Sequence, residues 1–470
     1  MEITVHAAPG NKTNILDLIE KQHQIALPCN CHGANTCGGK QYDFPCSLIP
    51  KEDMTVSIPE QKNFSGLSLE TTQTSAHLPD ALLIDLGTTT VAMVWYNTEH
   101  QTVFYSEVFP NPQLPFGADV ISRIKYDVEP AHKHTLKNII CEELSGRYDA
   151  VVARHKNICL RTCLIGGNTT MLHLLCGLSL KGMTGVPFSP CSDLSMSFER
   201  KSGDTEVILL PWLSAFIGGD ILSGMLYLDF DKRSDTCLLA DLGTNGELAL
   251  LYKNQIYTAG TAAGPAFEGG GLTDGSPAVP GAVCDVTLSR GIPRLQTIGN
   301  KLPTGICGSG AISILSELLS GGYMDSAGIL TSKFPEEGLV ICKRMGQKDV
   351  IFTADDVRQM QLAIAAIGAG IDTLCHKAGI QPAQIGHLYL AGGLGHHINI
   401  QKAALTGLFS DTSLSNVTSV GNSCLHGLAA LSSSTHLLWE RTKSIRQISK
   451  EITLADDNFF QKQFIRHMTY

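Results

Sequence analysis

Leu82-Leu83-Ile84-Asp85-Leu86-Gly87-Thr88-Thr89-Thr90, running on into Val91-Ala92-Met93-Val94-Trp95, places a carboxylate, a glycine and three hydroxyls between two apolar runs. Short apolar runs bounded by turn residues are buried strands, so the stretch predicts a strand, a tight turn and a return strand. Gly87 permits a positive φ and lets a ligand approach the backbone. The hydroxyls of Thr88 and Thr89 and the turn N–H groups suit phosphate oxygens, and Asp85 suits a magnesium ion held through water. Taken singly, Asp-Leu-Gly-Thr-Thr also suits an ordinary hairpin.

The same device returns at Cys237-Leu238-Leu239-Ala240-Asp241-Leu242-Gly243-Thr244-Asn245-Gly246-Glu247. Aligned on the aspartates, which lie 156 residues apart, Leu82/Leu238, Leu83/Leu239, Leu86/Leu242, Gly87/Gly243 and Thr88/Thr244 are identical. That spacing is too long for a solenoid repeat and fits a duplicated domain. Two phosphate-type hairpins in two similar lobes predict a nucleotide in the cleft between them.

At 470 residues the chain holds several domains and a large core. A hydrophobic share of 43% with 46 Gly fits a globular protein rich in turns. Net charge −9 argues against a nucleic-acid surface or an anionic membrane as partner. Met1-Glu2-Ile3-Thr4-Val5-His6 has no basic start or apolar signal core, and no apolar run reaches the roughly 18 residues of a membrane span. Fifteen Cys, an odd number scattered through apolar segments, point to a reducing cytoplasm.

Other polar and glycine loops fall where cleft walls are expected. Asn111 to Ile124 is a loop entering a helix, with Asp119 near its start. Ile158 to Ile165 is a strand ending in the polar turn Gly166-Gly167-Asn168-Thr169-Thr170-Met171, the kind of position where α/β folds bind ligands. Asp220, after Ile217-Gly218-Gly219, either faces the cleft or caps a helix. Thr261 to Gly271 is too glycine-rich for a helix interior and predicts a mobile cleft loop with Glu268 as its one charge. Gly308 and Ser309 open a helix whose N–H groups suit an anion. Thr353-Ala354-Asp355-Asp356 starts another helix. Leu388 to Gly395 is a strand ending in Gly392-Gly393, which lets a flat base or ribose lie on the backbone. Val420-Gly421-Asn422-Ser423 caps a last long helix.

The first sixty residues differ in character. Met1 to Val5 predicts a strand and Asn14 to Lys21 a helix. Cys29, Cys31, Cys37 and Cys46 then fall within eighteen residues, among glycines that leave N–H groups free for cluster sulfurs. Gln61 to Asp80 has a linker's composition.

The cysteine stretch resembles the plant-type 2Fe–2S ferredoxin domain. Cys31-x5-Cys37-Gly38 matches its first two ligands, and Cys46 ahead of Met54-Thr55-Val56-Ser57-Ile58-Pro59 matches the last one and the closing strand. Lys40 stands at the third ligand position, and Cys29 is the remaining candidate. The later stretches resemble the acetate and sugar kinase/Hsc70/actin (ASKHA) superfamily: the paired turns match its two phosphate loops and Ala391-Gly392-Gly393 its adenosine loop. More specifically, the chain resembles the ATP-dependent reductive activators of corrinoid proteins across about Leu82 to Ala430.

The resemblance implies an α/β fold of two duplicated actin/Hsp70-like (RNase H-like) lobes around a nucleotide cleft, preceded by a small, truncated β-grasp ferredoxin-like domain. The expected division is 1–60 ferredoxin-like, 61–80 linker, 81–232 lobe I, 233–445 lobe II and 446–470 C-terminal tail. It further implies ATP, Mg2+ and a 2Fe–2S cluster as cofactors, with an electron passing to a corrinoid cobalt to return Co(II) to Co(I). Asp85 and Asp241 would handle magnesium and the attacking water. Thr88, Thr89, Thr244 and Asn245, on the turns made by Gly87 and Gly243, would hold phosphates, and Gly392 and Gly393 the adenosine. Cys29, Cys31, Cys37 and Cys46 would be the metal ligands. Implied partners are a corrinoid protein or corrinoid-dependent methyltransferase, an external reductase and a second copy of the chain.

Rival functions are a small-molecule kinase, a non-redox activator ATPase, and a radical-generating activator with a 4Fe–4S cluster, for which Cys284 and Cys307 are the cysteines within the ATPase core. His173 and His396-His397 are candidate cobalt ligands, or else satisfied loop histidines.

Overall fold

The structure is a computed structural model that describes residues 2–6, 36–37, 40–41, 49, 54–57, 77–155, 157–185, 188–191, 199–202, 205–289, 291–344, 348–409 and 416–469. Near the start, β1 (Glu2–Val5) pairs antiparallel with β4 (Met54–Ser57), and β2 (Thr36–Cys37) with β3 (Lys40–Gln41). The helix expected over Asn14 to Lys21, the ligand candidates Cys29, Cys31 and Cys46, and linker residues 61–76 lie outside the described residues.

From Ala81 onward the chain builds two sheets of one design. In the first, β5 (Ala81–Leu86), β6 (Thr90–Asn97) and β7 (Thr102–Pro110) form an antiparallel meander. Then β8 (Thr162–Gly167) and β10 (Thr205–Leu209) add in parallel beside β5, with β9 (Glu199–Ser202) antiparallel at the edge. In the second, β11 (Cys237–Leu242), β12 (Gly246–Tyr252) and β13 (Gln255–Thr261) repeat the meander, and β14 (His387–Ala391) and β15 (Val417–Gly421) repeat the parallel additions. The duplication read from two hairpins therefore extends through five strands. The segment read as a C-terminal tail supplies β16 (Ser449–Glu451), parallel to β13, and a helix, Asn458–Arg466, packed on the Ala354–Ala378 helix.

β5 and β11 are buried on both faces, as near-continuous apolar runs require. Leu82, Ile84 and Leu86 enter one core and Leu83 another, which it shares with Leu239 of β11. That shared core includes the helices Gly219–Tyr227 and Ser423–Leu431, which occupy equivalent places after β10 and β15. They cross at small residues. A Cβ on Gly224 would lie 2.7 Å from Ser423 Oγ, a Cβ on Gly427 would strike the Ser223 carbonyl, and Ser223 Oγ donates to the Cys424 carbonyl at 2.7 Å. Gly427→Ala is expected to lower stability by roughly 1–3 kcal/mol, the usual penalty of overpacking. Chemical denaturation measures it, and an unchanged midpoint would mean that the crossing has slack.

Three local expectations change. The strand read at Ile158 to Ile165 begins at Thr162, with Arg161 donating its N–H back to Asp80. The long helix after Asn422 is two helices, Ser423–Leu431 and Thr435–Ile448, because Ser434 accepts from Leu437 N and caps a fresh start. Thr261 to Gly271, expected to be mobile, folds into a compact 3-10 turn at Pro265–Glu268 with Ala266 and Phe267 buried. Gly264 and Gly269 supply its positive φ of 77° and 78°.

Candidate functional site

Parity along the strands aims the aspartates. Asp85 shares the face of Leu83, and Asp241 that of Leu239, so both emerge at the carboxyl ends of their strands on the side where the lobes meet. Small residues flank them in register: Ala92 and Gly166 beside Asp85, Ala391 beside Asp241. The two turns touch, with Thr89 Oγ1 2.9 Å from Thr244 Oγ1. Gly87 does not use a positive φ; it is required because a Cβ there would lie 2.6 Å from the Thr90 carbonyl oxygen. Gly392 does, at φ 86°, and a Cβ on it would come within 2.9 Å of Asp241 Oδ1. Gly393 faces open space.

The first turn is braced from behind by the Asn111 to Ile124 segment. Asn111 Nδ2 donates to the Gly87 carbonyl at 2.8 Å and Asn111 N to the Thr89 carbonyl at 2.8 Å. Arg123 Nη2 donates to the Thr88 carbonyl at 2.5 Å. Asn168, expected in a loop, caps the helix Thr169–Cys176, and its amide donates to Thr88 Oγ1 at 2.7 Å.

Five acidic groups converge on the cleft. Asp220, in the first turn of its helix, joins Asp85, Asp241, Glu247 and Glu268. Burial raises the Asp85 carboxyl, opposed by hydrogen bonds from Asn422 and Cys424. Burial, then the charge of Asp85, pushes Asp220 up to about 7. Burial, then Asp220 and Asp85, pushes Asp241 up to about 8. Glu247 is raised well above the carboxylate range by burial and by Asp220 and Asp241. Such mutual repulsion is what a divalent cation relieves. Among the described residues no three His, Cys, Asp or Glu side chains are placed to hold an ion directly. Crowded, mutually repelling carboxylates are oxygen donors of the kind that suit a magnesium ion keeping several of its waters.

Contacts across the lobes complete the site. Asn422 Nδ2, from the second lobe, donates to Asp85 Oδ2 at 2.6 Å, while its Oδ1 accepts from Leu425 N to cap the helix. The Cys424 thiol also bonds Asp85, and a Cβ on Gly166 would collide with its sulfur. In the second lobe Thr244 Oγ1 donates to Glu268 Oε2 at 2.5 Å.

Sequence reasoning missed Glu247, Asn422 and Cys424 as site residues. Glu247 had a signal: at the 156-residue offset it stands where the first hairpin has Val91, a carboxylate in an otherwise apolar return strand, and the shorter second turn brings it into register with Asp241. Asn422 and Cys424 had none, since their partner is more than three hundred residues away. Gly308 and Ser309 pack beneath the Pro265–Glu268 turn. Both are buried, and the Ser309 hydroxyl lies 3.2 Å from Cys307 Sγ. Cys284 and Cys307 share a small buried cluster with Ala282 and Ile298. His173 is a satisfied core histidine, with Nδ1 2.7 Å from the Thr169 carbonyl and Nε2 accepting from Cys191 N. Cys37 pairs in backbone register with Lys40.

Residues 235–470 match the family described as the C-terminal domain of RACo, the ASKHA domain, and residues 81–233 match the RACo middle region. The chain is similar to the corrinoid activation enzyme RamQ of Eubacterium limosum, 30% identical over 427 residues, covering 83% of this chain and 70% of that protein. It is 29% identical over 299 residues to a Co(II) methylated amine-specific corrinoid protein reductase of Methanosarcina barkeri, covering 58% of this chain and about half, 53%, of that relative. A solved reductive activator for corrinoid, iron-sulfur protein superposes with a TM-score of 0.76 at 25% identity, covering 100% of this chain and 78% of that one. The chain belongs to the RACo family and has its ASKHA, actin/Hsp70-like fold.

Proposed function

We propose that the protein binds Mg·ATP between its lobes and uses ATP hydrolysis to drive the one-electron reduction of a corrinoid protein from Co(II) to Co(I). The observation that carries the nucleotide half is the contact of the two aspartate turns at Thr89 and Thr244 around a cluster of buried acids. Likeness to a corrinoid activation enzyme and a corrinoid protein reductase supports the acceptor.

In this reading Thr88, Thr89, Thr244 and Asn245 bind phosphate oxygens, and Gly392 and Gly393 leave room for the adenosine. Asp85, Asp220, Asp241, Glu247 and Glu268 receive a hydrated magnesium ion, which supplies positive charge against the phosphates. Asp241, once magnesium displaces the proton that burial holds to about 8, would orient the attacking water and take its proton. Asn422 and Cys424 tie Asp85 to the second lobe, so events at the phosphates reach the lobe interface.

Lys40 in place of the third ligand leaves the plant-type 2Fe–2S motif incomplete, with Cys29 as the candidate replacement. Lys40 holds the third ligand position opposite Cys37, and an ammonium offers iron no lone pair. The electron is therefore assigned to an external reductant, with no step through a cluster.

The test is anaerobic: a Co(II) corrinoid protein, a low-potential reductant, Mg·ATP and this protein, followed by visible spectroscopy. Growth of the Co(I) band that needs both ATP and this protein is expected, with ATP hydrolysis stimulated by the corrinoid protein. No Co(I) with any corrinoid protein, but phosphate transfer to a small metabolite, would replace this function with a kinase. Stoichiometric iron and acid-labile sulfide would overturn the external electron source.

A further inference from the structure

Arg123 has no solvent exposure, and among the described residues it forms no ion pair. Its only carboxylate influence is Asp119, the exposed cap of its own helix. Burying an unpaired cation is unfavourable, and here burial pulls the guanidinium down to about 10. Yet the side chain is fully engaged. Nη2 donates to the Thr88 carbonyl, Nε to the Gly117 carbonyl at 2.8 Å, and Nη1 to Gln113 Oε1 at 3.2 Å. Gln113, itself buried, is held in turn by its Nε2 donating to the Leu136 carbonyl at 3.0 Å.

The geometry of a trans peptide converts this brace into a prediction about the other side of the turn. In a planar peptide the C=O and the following N–H point in opposite directions. Asn111 binds the Gly87 carbonyl and Arg123 the Thr88 carbonyl from behind, so the N–H groups of Thr88 and Thr89 point away from the brace. Successive N–H groups aimed the same way make an anion concavity. The site thus has a buried positive charge behind it, two N–H groups in front and, among the described residues, no carboxylate paired with the guanidinium.

We propose that Arg123 is a positioning residue for the nucleotide phosphates: it fixes the first turn by its carbonyls, and the bound phosphate supplies the counter-charge that its burial lacks. This rests on the nucleotide reading above and adds a residue behind the phosphate turn to it.

The test measures binding of adenosine, ADP and ATP, with magnesium, to the full chain and to Arg123→Met and Arg123→Lys. Wild type is expected to tighten as phosphates are added. Arg123→Met is expected to lose ATP affinity by on the order of ten- to a hundredfold while adenosine binding is unchanged. Arg123→Lys should fall between, since it keeps the charge but cannot span two carbonyls; if the methionine variant fails to fold, the lysine variant carries the comparison alone. Equal loss for adenosine and ATP, or no loss, would overturn the role of Arg123 and leave the nucleotide reading standing. A wild-type protein that binds adenosine as tightly as ATP would instead sink the nucleotide reading itself.

Discussion

Asp241→Asn is expected to reduce ATP turnover by at least about a hundredfold, the usual scale for losing one aligned catalytic group, while stabilising the ligand-free protein at alkaline pH. Both effects have one cause. Asp241 stands among Asp85, Asp220 and Glu268, and burial with their charges holds its proton to about 8. Below that pH the native group is mostly neutral and asparagine imitates it. From about pH 4 to 8 the unfolded chain ionises this group while the native chain keeps its proton, so wild type loses stability that the non-titrating amide retains. At about pH 9 the variant should be more stable by roughly 2 kcal/mol or more, since each tenfold bias in protonation is worth about 1.4 kcal/mol. Thermal denaturation without metal at about pH 6 and about pH 9 checks this. A variant that is both inactive and less stable at each pH would mean that Asp241 serves as a structural hydrogen-bonding group instead.

The wild-type protein without metal should itself lose stability as pH rises through neutrality. Asp85, Asp220, Asp241 and Glu247 are all raised, so between the unfolded value near 3.8 and the folded values the native chain holds more protons than the unfolded one. By linkage, stability then falls with pH. The contributions of Asp220 and Asp241 are complete below about pH 4 and lost as pH rises through about 7 and about 8. Asp80, Asp235, Asp285 and Asp457 run the other way, but each is lowered below 3.8, so their losses come only at more acid pH. Between about pH 5 and 8.5 the cleft should dominate, and melting temperature should fall. Saturating Mg·ATP should flatten that slope, because the cation favours the ionised carboxylates and displaces their protons. A slope that persists unchanged with Mg·ATP would place the titrating groups elsewhere.

Much of the architecture was legible because its signal is local and repeated. The Asp85 and Asp241 hairpins are apolar runs with one polar defect each, and duplication turned two weak signals into a two-lobed fold. Helix starts at Asp119 and Thr353 were readable from capping chemistry, which acts over three or four residues. What escaped depends on contacts between distant parts. Asp220 was ambiguous between cap and cleft, and it is the packing of its helix start against Gly167 and Asn168, at the end of the strand beside β5, that brings it to Asp85. The glycines of Thr261 to Gly271 suggested mobility, yet Gly264 and Gly269 serve positive φ in a packed turn. Arg123 lies in the stretch read simply as a loop entering a helix, and nothing within a few residues shows that its guanidinium lies beneath Thr88. Ser434 ended the long helix because a serine's cap competes with helix continuation, a balance composition does not decide.

The two aspartate turns should act as one Mg-dependent nucleotide clamp, and calorimetric titration of a non-hydrolysable ATP analogue tests this. With magnesium, the wild-type chain should bind one analogue per protein, with proton release seen as a buffer-dependent heat. Without magnesium, or in Asp241→Asn, the affinity should drop by on the order of tenfold or more. Equal affinity in all three conditions would contradict the clamp.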